Sequence, residues 1–110
     1  MKSGELKKGS TELIVLSLLV ERARHGYEIR KLVEQRSRGV VKLNVASLYP
    51  LLYRMEARHW INGRWVEKPG ERRRRFYRIT PLGLKALAAQ RDTWREFALA
   101  INRIIGVDHA

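Results

Sequence analysis

Ser47, Tyr49, Tyr53, Arg54 and Arg58 recur at steps of one to four residues, which gathers hydroxyls and guanidinium groups toward one side of a helix. A guanidinium can fork onto O6 and N7 of guanine, and hydroxyls suit phosphate oxygens, so this face has the chemistry to read DNA. A second set follows at Lys68, Arg72, Arg73, Arg74 and Arg75, with Gly70 beside the arginines. Such a cluster fits a phosphate backbone or the minor groove. If the arginines lie on a strand, neighbours point to opposite faces, so Arg75 is expected to cover the core while Lys68, Arg72, Arg73 and Arg74 meet the nucleic acid. Two positions keep a second reading: Tyr49 lies at the edge of an apolar stripe and suits packing as well as contact, and Arg54 also reads as a solvated charge.

The element that must carry the first set is a helix within Asn44 to Ile61. Leu48, Leu51, Leu52 and Met55 fall at i, i+3, i+4 and i+7, one apolar stripe. Ala46, Ser47, Pro50, Tyr53, Arg54 and Ala57 occupy the other side, with Arg58 at its edge. Proline is comfortable only in a first helical turn. Ser47 as N-cap would put Pro50 there; a start at Asn44 or Val45 would leave it further in. Both starts remain open from sequence.

Composition agrees with a polyanionic partner. The 110 residues hold 23 Lys and Arg against 11 Asp and Glu, a net charge of +12 with a pI near 10.9. From Tyr53 to Arg78 there are nine basic residues and three acids, a surplus of six and half of the net charge. No cysteine is present, which removes disulfides and thiolate metal sites and fits a reducing cytoplasm. The longest apolar run, Leu13 to Val20, is broken by Ser17 and falls short of the ~20 residues of a membrane span. Met1 to Ser10 lack the apolar segment of a signal peptide. The expected location is the cytoplasm, with no membrane partner.

Along the chain, Met1 to Lys8 read as a loose basic arm and Ser10 as the N-cap of a buried helix over Thr11 to Arg22. After a short connection, His25-Gly26-Tyr27 opens a second helix with Ile29, Leu32 and Val33 inward, ending near Ser37; His25 is expected to cap or pack it. Trp60 to Lys68 and Arg73 to Thr80 alternate around Pro69-Gly70-Glu71-Arg72 and predict a β-hairpin with Tyr77 and Ile79 facing the helices. Thr80-Pro81 then caps a last helix to about Ile105, stopped by Gly106. Leu84, Leu87, Arg91, Trp94, Ala98, Ile101 and Ile105 alternate in steps of three and four, a heptad seam. At 1.5 Å per residue this helix spans about 37 Å, more than a small domain needs to cover itself, so it is expected to pair with a second copy. The expected fold is mainly α with a small β-hairpin. It is a winged helix-turn-helix over residues 1–80, plus a long C-terminal dimerisation helix and tail over 81–110.

Four blocks in order resemble the PadR family of bacterial transcriptional regulators. They are Gly9-Ser10-Thr11-Glu12-Leu13, His25-Gly26-Tyr27-Glu28-Ile29, the run from Ser47 to Glu56, and the run from Arg74 to Gly83. The resemblance covers nearly the whole chain and its length suits the short subgroup, whose single C-terminal helix makes the dimer. It implies a homodimer on double-stranded DNA, a repressor at an inverted-repeat operator. It also implies that a small aromatic effector can bind between subunits near an aromatic such as Trp94, which otherwise reads as a packing side chain. Two positions depart from the family pattern. Ala46 stands where a Gly usually precedes Ser or Thr, and His59-Trp60 where a Gly usually follows the recognition helix.

Other classes have little to stand on. Two aspartates, Asp92 and Asp108, with no cysteine nucleophile and no Gly-rich phosphate loop, argue against an enzyme. Three scattered histidines predict no metal site, and no cofactor is expected. The competing use of the same fold is nonspecific nucleic-acid binding or packaging, which affinity indifferent to sequence would reveal. Binding of the basic patch to a membrane surface is a third reading.

Overall fold

The computed structural model describes the backbone of residues 3–107 and the side chains from Gly9 onward. Its elements are α1 (Ser3–Glu21), β1 (Arg24–His25), α2 (Gly26–Arg36), α3 (Val45–Ala57), β2 (Ile61–Val66), β3 (Arg74–Ile79) and α4 (Pro81–Ile105). The winged helix-turn-helix with a long last helix is therefore present.

Leucine, valine and isoleucine on almost every side of α1 make it the centre of the core. Val15, Leu16, Leu18 and Leu19 meet Ile29 and Val33 of α2 and the Leu48, Leu51, Leu52 and Met55 stripe of α3. Ile61, Tyr77 and Leu87 close the cluster from the wing and α4. Burial pushes the Tyr77 phenol above its usual range. Side-chain caps set the later helix starts, as the local residue types require. His25 Nδ1 accepts from the Glu28 N–H at 3.1 Å, Asn44 Oδ1 from the Ser47 N–H at 2.8 Å, and Thr80 Oγ1 from the Gly83 N–H at 3.0 Å.

Two features depart from the sequence expectation, and one helix start that it left open is resolved. Helix α1 begins at Ser3, so Ser10 lies inside it and the arm expected over Met1 to Lys8 is helical from Ser3 onward; Met1 and Lys2 lie outside the described residues. Glu, Leu and Lys are good helix formers, and one interior glycine costs only about 1 kcal/mol. Helix α3 starts after Asn44, which places Pro50 at its sixth residue. The Ala46 carbonyl therefore has no Pro50 N–H to accept. The hairpin is joined by a third strand, giving the order β1-β3-β2, all antiparallel. Two residues carry no period, so β1 left no signal. Tertiary contacts make it: His25 opposes Phe76 across the ladder, and their rings meet edge to face with centroids 5.1 Å apart.

The link from α3 to the wing is tight. His59 adopts φ +62° in the left-handed region that favours glycine, at one of the two positions that depart from the family pattern. Its N–H and that of Trp60 return to the Glu56 and Met55 carbonyls at 2.9 and 3.0 Å, which closes the helix.

Candidate nucleic-acid interface

The recognition face of α3 is built by burying its opposite side. With Leu48, Leu51, Leu52 and Met55 in the core, Ser47, Tyr53 and Arg54 are left on the surface, Tyr53 at 76% exposure. Tyr49 does both things its position allowed. It is 43% exposed, and its ring lies over Gly26 so closely that a Cβ there would sit 2.6 Å from the phenolic oxygen. Gly26 is thus the place where α3 seats on α2. Arg30 Nε, donating to the Leu43 carbonyl at 2.9 Å, holds the loop that delivers α3.

The wing is fixed to α3 through one carboxylate. Glu56 Oε2 accepts from the Gly63 N–H at 3.0 Å and from Arg75 Nη2 at 2.7 Å. The Arg75 guanidinium also lies over the rings of Trp65 and Tyr77, 5.6 and 5.7 Å from their centroids. Arg75 therefore turns inward as alternation requires. Arg74 turns the other way, over the Tyr27 ring at 5.6 Å, while Arg73 shares the Trp65 ring with Arg75, 4.5 Å from its centroid, with Glu67 3.4 Å away. Arg72, Lys68 and Arg54 are exposed and make no ion pair among the described residues.

Between the wing and α2–α3 runs a groove of about 620 Å³. Arg30, Arg72, Arg73, Arg74 and Arg75 line it, together with Tyr27, Tyr49, Trp65 and Tyr77, and no carboxylate does. Such a groove carries a surplus of positive charge and offers ring faces and guanidinium planes, a surface that suits a polyanion. Arg30 and Tyr27 belong to this lining, though neither was among the residues the sequence singled out for nucleic acid. The signal for them lay in Gly26, whose missing side chain brings α2 against Tyr49. His25 lines the same groove, where burial, helped by the Arg74 charge, holds its imidazole below its ordinary value.

Two of the expected residues are engaged within the domain itself. Arg58 turns away to the buried carboxylate of Glu12, 3.2 Å from Oε1, with its guanidinium 5.0 Å from the Trp60 ring centroid. In α4, Leu87 is 2% exposed within the domain's own core, so it offers nothing to a partner and the expected seam must do without it. Gly83 explains why: α4 crosses the Trp60 carbonyl so closely that any side chain there would clash with it, which presses Leu87 inward. Leu84, Trp94, Ile101 and Ile105 of the same seam are exposed and Ala98 is half-buried. The Trp94 ring touches Phe97, centroids 6.0 Å apart. No helix among the described residues is long and apolar enough to cross a membrane.

Residues 15–89 match the model of the transcriptional regulator PadR-like family. A transcriptional regulator from Clostridium thermocellum superposes with a TM-score of 0.82 at 30% identity, over 90% of this chain and 96% of that one. A PadR-like transcriptional regulator from Bacillus cereus gives 0.78 at 25% identity, over 94% and 99%. An uncharacterized protein of Lysinibacillus sphaericus is 29% identical over 96 residues, which is 87% of this chain and 88% of that protein.

Proposed function

Because the chain belongs to the PadR-like family of transcriptional regulators, we propose that it works as a homodimeric repressor on an inverted-repeat operator in double-stranded DNA. Two copies of α3 enter successive major grooves about 34–36 Å apart. The observation that carries this reading is the arginine groove between the wing and α2–α3, lined by no carboxylate, together with Arg54, Lys68 and Arg72, which are exposed and make no ion pair among the described residues. A DNA strand laid in the groove meets the wing arginines on one side and Arg30 with the Tyr27 and Tyr49 rings on the other.

In this reading Ser47, Tyr49, Tyr53 and Arg54 meet base edges and the flanking phosphates, while Lys68, Arg72, Arg73 and Arg74 hold backbone or enter the minor groove. Leu84, Trp94, Ala98, Ile101 and Ile105 form the dimer seam, supported by the exposed apolar surface of α4. A small aromatic effector bound between subunits near Trp94 changes how the two α4 helices cross, and with it the spacing of the recognition helices. Such a regulator works in the cytoplasm, where its DNA lies.

Footprinting on the DNA upstream of the protein's own coding sequence, across a salt series, tests the proposal. Protection of two half-sites one helical turn apart is the expected result. Protection spread evenly along any DNA would overturn sequence-specific regulation in favour of nonspecific packaging.

A further inference from the structure

Glu12 is a charged side chain in the core, 5% exposed, and both of its carboxylate oxygens are assigned. Oε1 faces Arg58 Nη1 at 3.2 Å, and Oε2 accepts from Gln90 Nε2 at 3.0 Å. Arg58 is the C-cap of α3, its backbone N–H bonded to the Arg54 carbonyl at 3.1 Å. Gln90 stands on α4 one turn beyond the buried Leu87, and the residues from Arg91 to Glu96 that follow it are all exposed. One carboxylate on the central helix thus touches the end of the recognition helix and the last anchored turn of α4.

The Gln90 amide strengthens the case. Reversed, it would set two oxygens against each other, so its NH2 must face Glu12. That orientation leaves Gln90 Oε1 as the buried side-chain polar atom without a hydrogen-bond partner among the described residues. The amide therefore gives up one interaction to keep its bond to Glu12. The Arg58 guanidinium is constrained in turn: moving it to a phosphate would strand a buried carboxylate without its cation, which is strongly unfavourable.

We infer that Arg58 is not a DNA contact but a positioning residue, and that Glu12 with Gln90 forms a polar link through which α4 sets the end of the recognition helix. The inference rests on the DNA-binding reading above and specifies how that site is held. A change in the crossing of paired α4 helices shifts Gln90, Gln90 pulls on Glu12, and the anchor of α3 moves with it.

The test measures operator affinity of the full chain by fluorescence anisotropy across a salt series, at a temperature where circular dichroism shows each variant folded. Glu12→Gln is expected to weaken binding about tenfold, within the range for residues that couple sites without touching a ligand. Its salt slope should stay at the wild-type value, because no phosphate contact is lost. Gln90→Met, which keeps the Arg58–Glu12 pair, should weaken binding about threefold at the same slope. A purely structural role would move thermal stability and leave affinity alone, which would overturn the inference. So would tighter binding by Glu12→Gln with a slope steeper by about one unit, since a freed Arg58 would then have found a phosphate. If Glu12→Gln does not fold, Arg58→Gln decides: a weaker complex at constant slope supports the link, and a slope reduced by about one unit overturns it. Wild-type protein with no sequence preference would overturn the DNA reading and this inference together.

Discussion

The two halves of α4 share one heptad pattern and meet opposite fates. From Pro81 to Gln90 the helix is anchored by the Thr80 cap, by Gly83 against the Trp60 carbonyl, by Leu87 in the core and by Gln90 on Glu12. From Arg91 to Ile105 the pattern continues, yet Trp94, Ile101, Ile104 and Ile105 stay exposed, Ile104 at 79%. The molecule measures 54 Å along its longest axis against 29 and 26 Å along the others, the shape a helix longer than its domain produces. Periodicity reports that a face is apolar, whereas the closeness of a neighbouring backbone decides whether the chain covers that face itself.

The strongest way to break this contrast is to charge the uncovered half. Ile101→Glu should leave the monomer fold intact by circular dichroism, because the side chain is outside the core. Across a two-fold seam each copy would bury a new carboxylate against its partner's apolar face, so sedimentation should show monomer. Operator affinity should then fall by about 10²–10⁴, the gain that joining two half-site readers normally provides. A variant that stays dimeric would move the seam elsewhere. The same test applied to the covered half should read out differently: Leu87→Ala should destabilise the fold by about 2–5 kcal/mol in thermal or urea unfolding, through lost burial and a cavity. A loss below about 1 kcal/mol would mean that α4 is not seated as described.

This contrast also marks how far the sequence could be read. The α3 stripe, the Thr80-Pro81 start and the Gly106 stop were legible because each is a local pattern with a local cause. Four features were not, because their causes lie far along the chain. Strand β1 exists through its pairing with β3, some fifty positions away. Leu87 joined the predicted seam because a heptad does not distinguish a self-contact from a partner contact. The Arg58–Glu12 pair left no sign, since nothing near Arg58 in sequence announces a carboxylate 46 residues upstream. Helix α1 passes through Gly9 and Ser10 because a cap residue type is also tolerated inside a helix.

The wing repeats the contrast on a smaller scale. Arg75 is held by Glu56 and two rings, while Arg72 is exposed. Arg72→Ala should lower the salt dependence of operator binding by about one unit while changing stability by less than about 0.5 kcal/mol. Arg75→Ala should do the reverse, lowering stability by about 1 kcal/mol at an unchanged slope, with the figure small because the pair is partly exposed. Titrations in increasing salt, with parallel melts, separate the two. Equal slopes for both variants would erase the distinction between held and free arginines.

The finest test acts at the far end of α4. Gly106 takes φ +79° and turns its N–H back to the Asn102 carbonyl, with Val107 bonding the same oxygen at 2.9 Å. Alanine in that left-handed position costs about 1 kcal/mol. In a helix anchored along its whole length the cost would be shared and would lower global stability. If only Pro81 to Gln90 is anchored within the monomer, Gly106→Ala should fray the last turn alone. Amide exchange should then quicken about fivefold over Asn102 to Ile105 in monomer held apart by Ile101→Glu, the factor that about 1 kcal/mol represents, while amides of Leu84 to Gln90 keep their rates. In the dimer the same substitution should be felt along the helix, because pairing would join the two halves into one cooperative unit. Quickened exchange throughout α4 in the monomer would show that the halves are not independent and that an internal partner covers the second one.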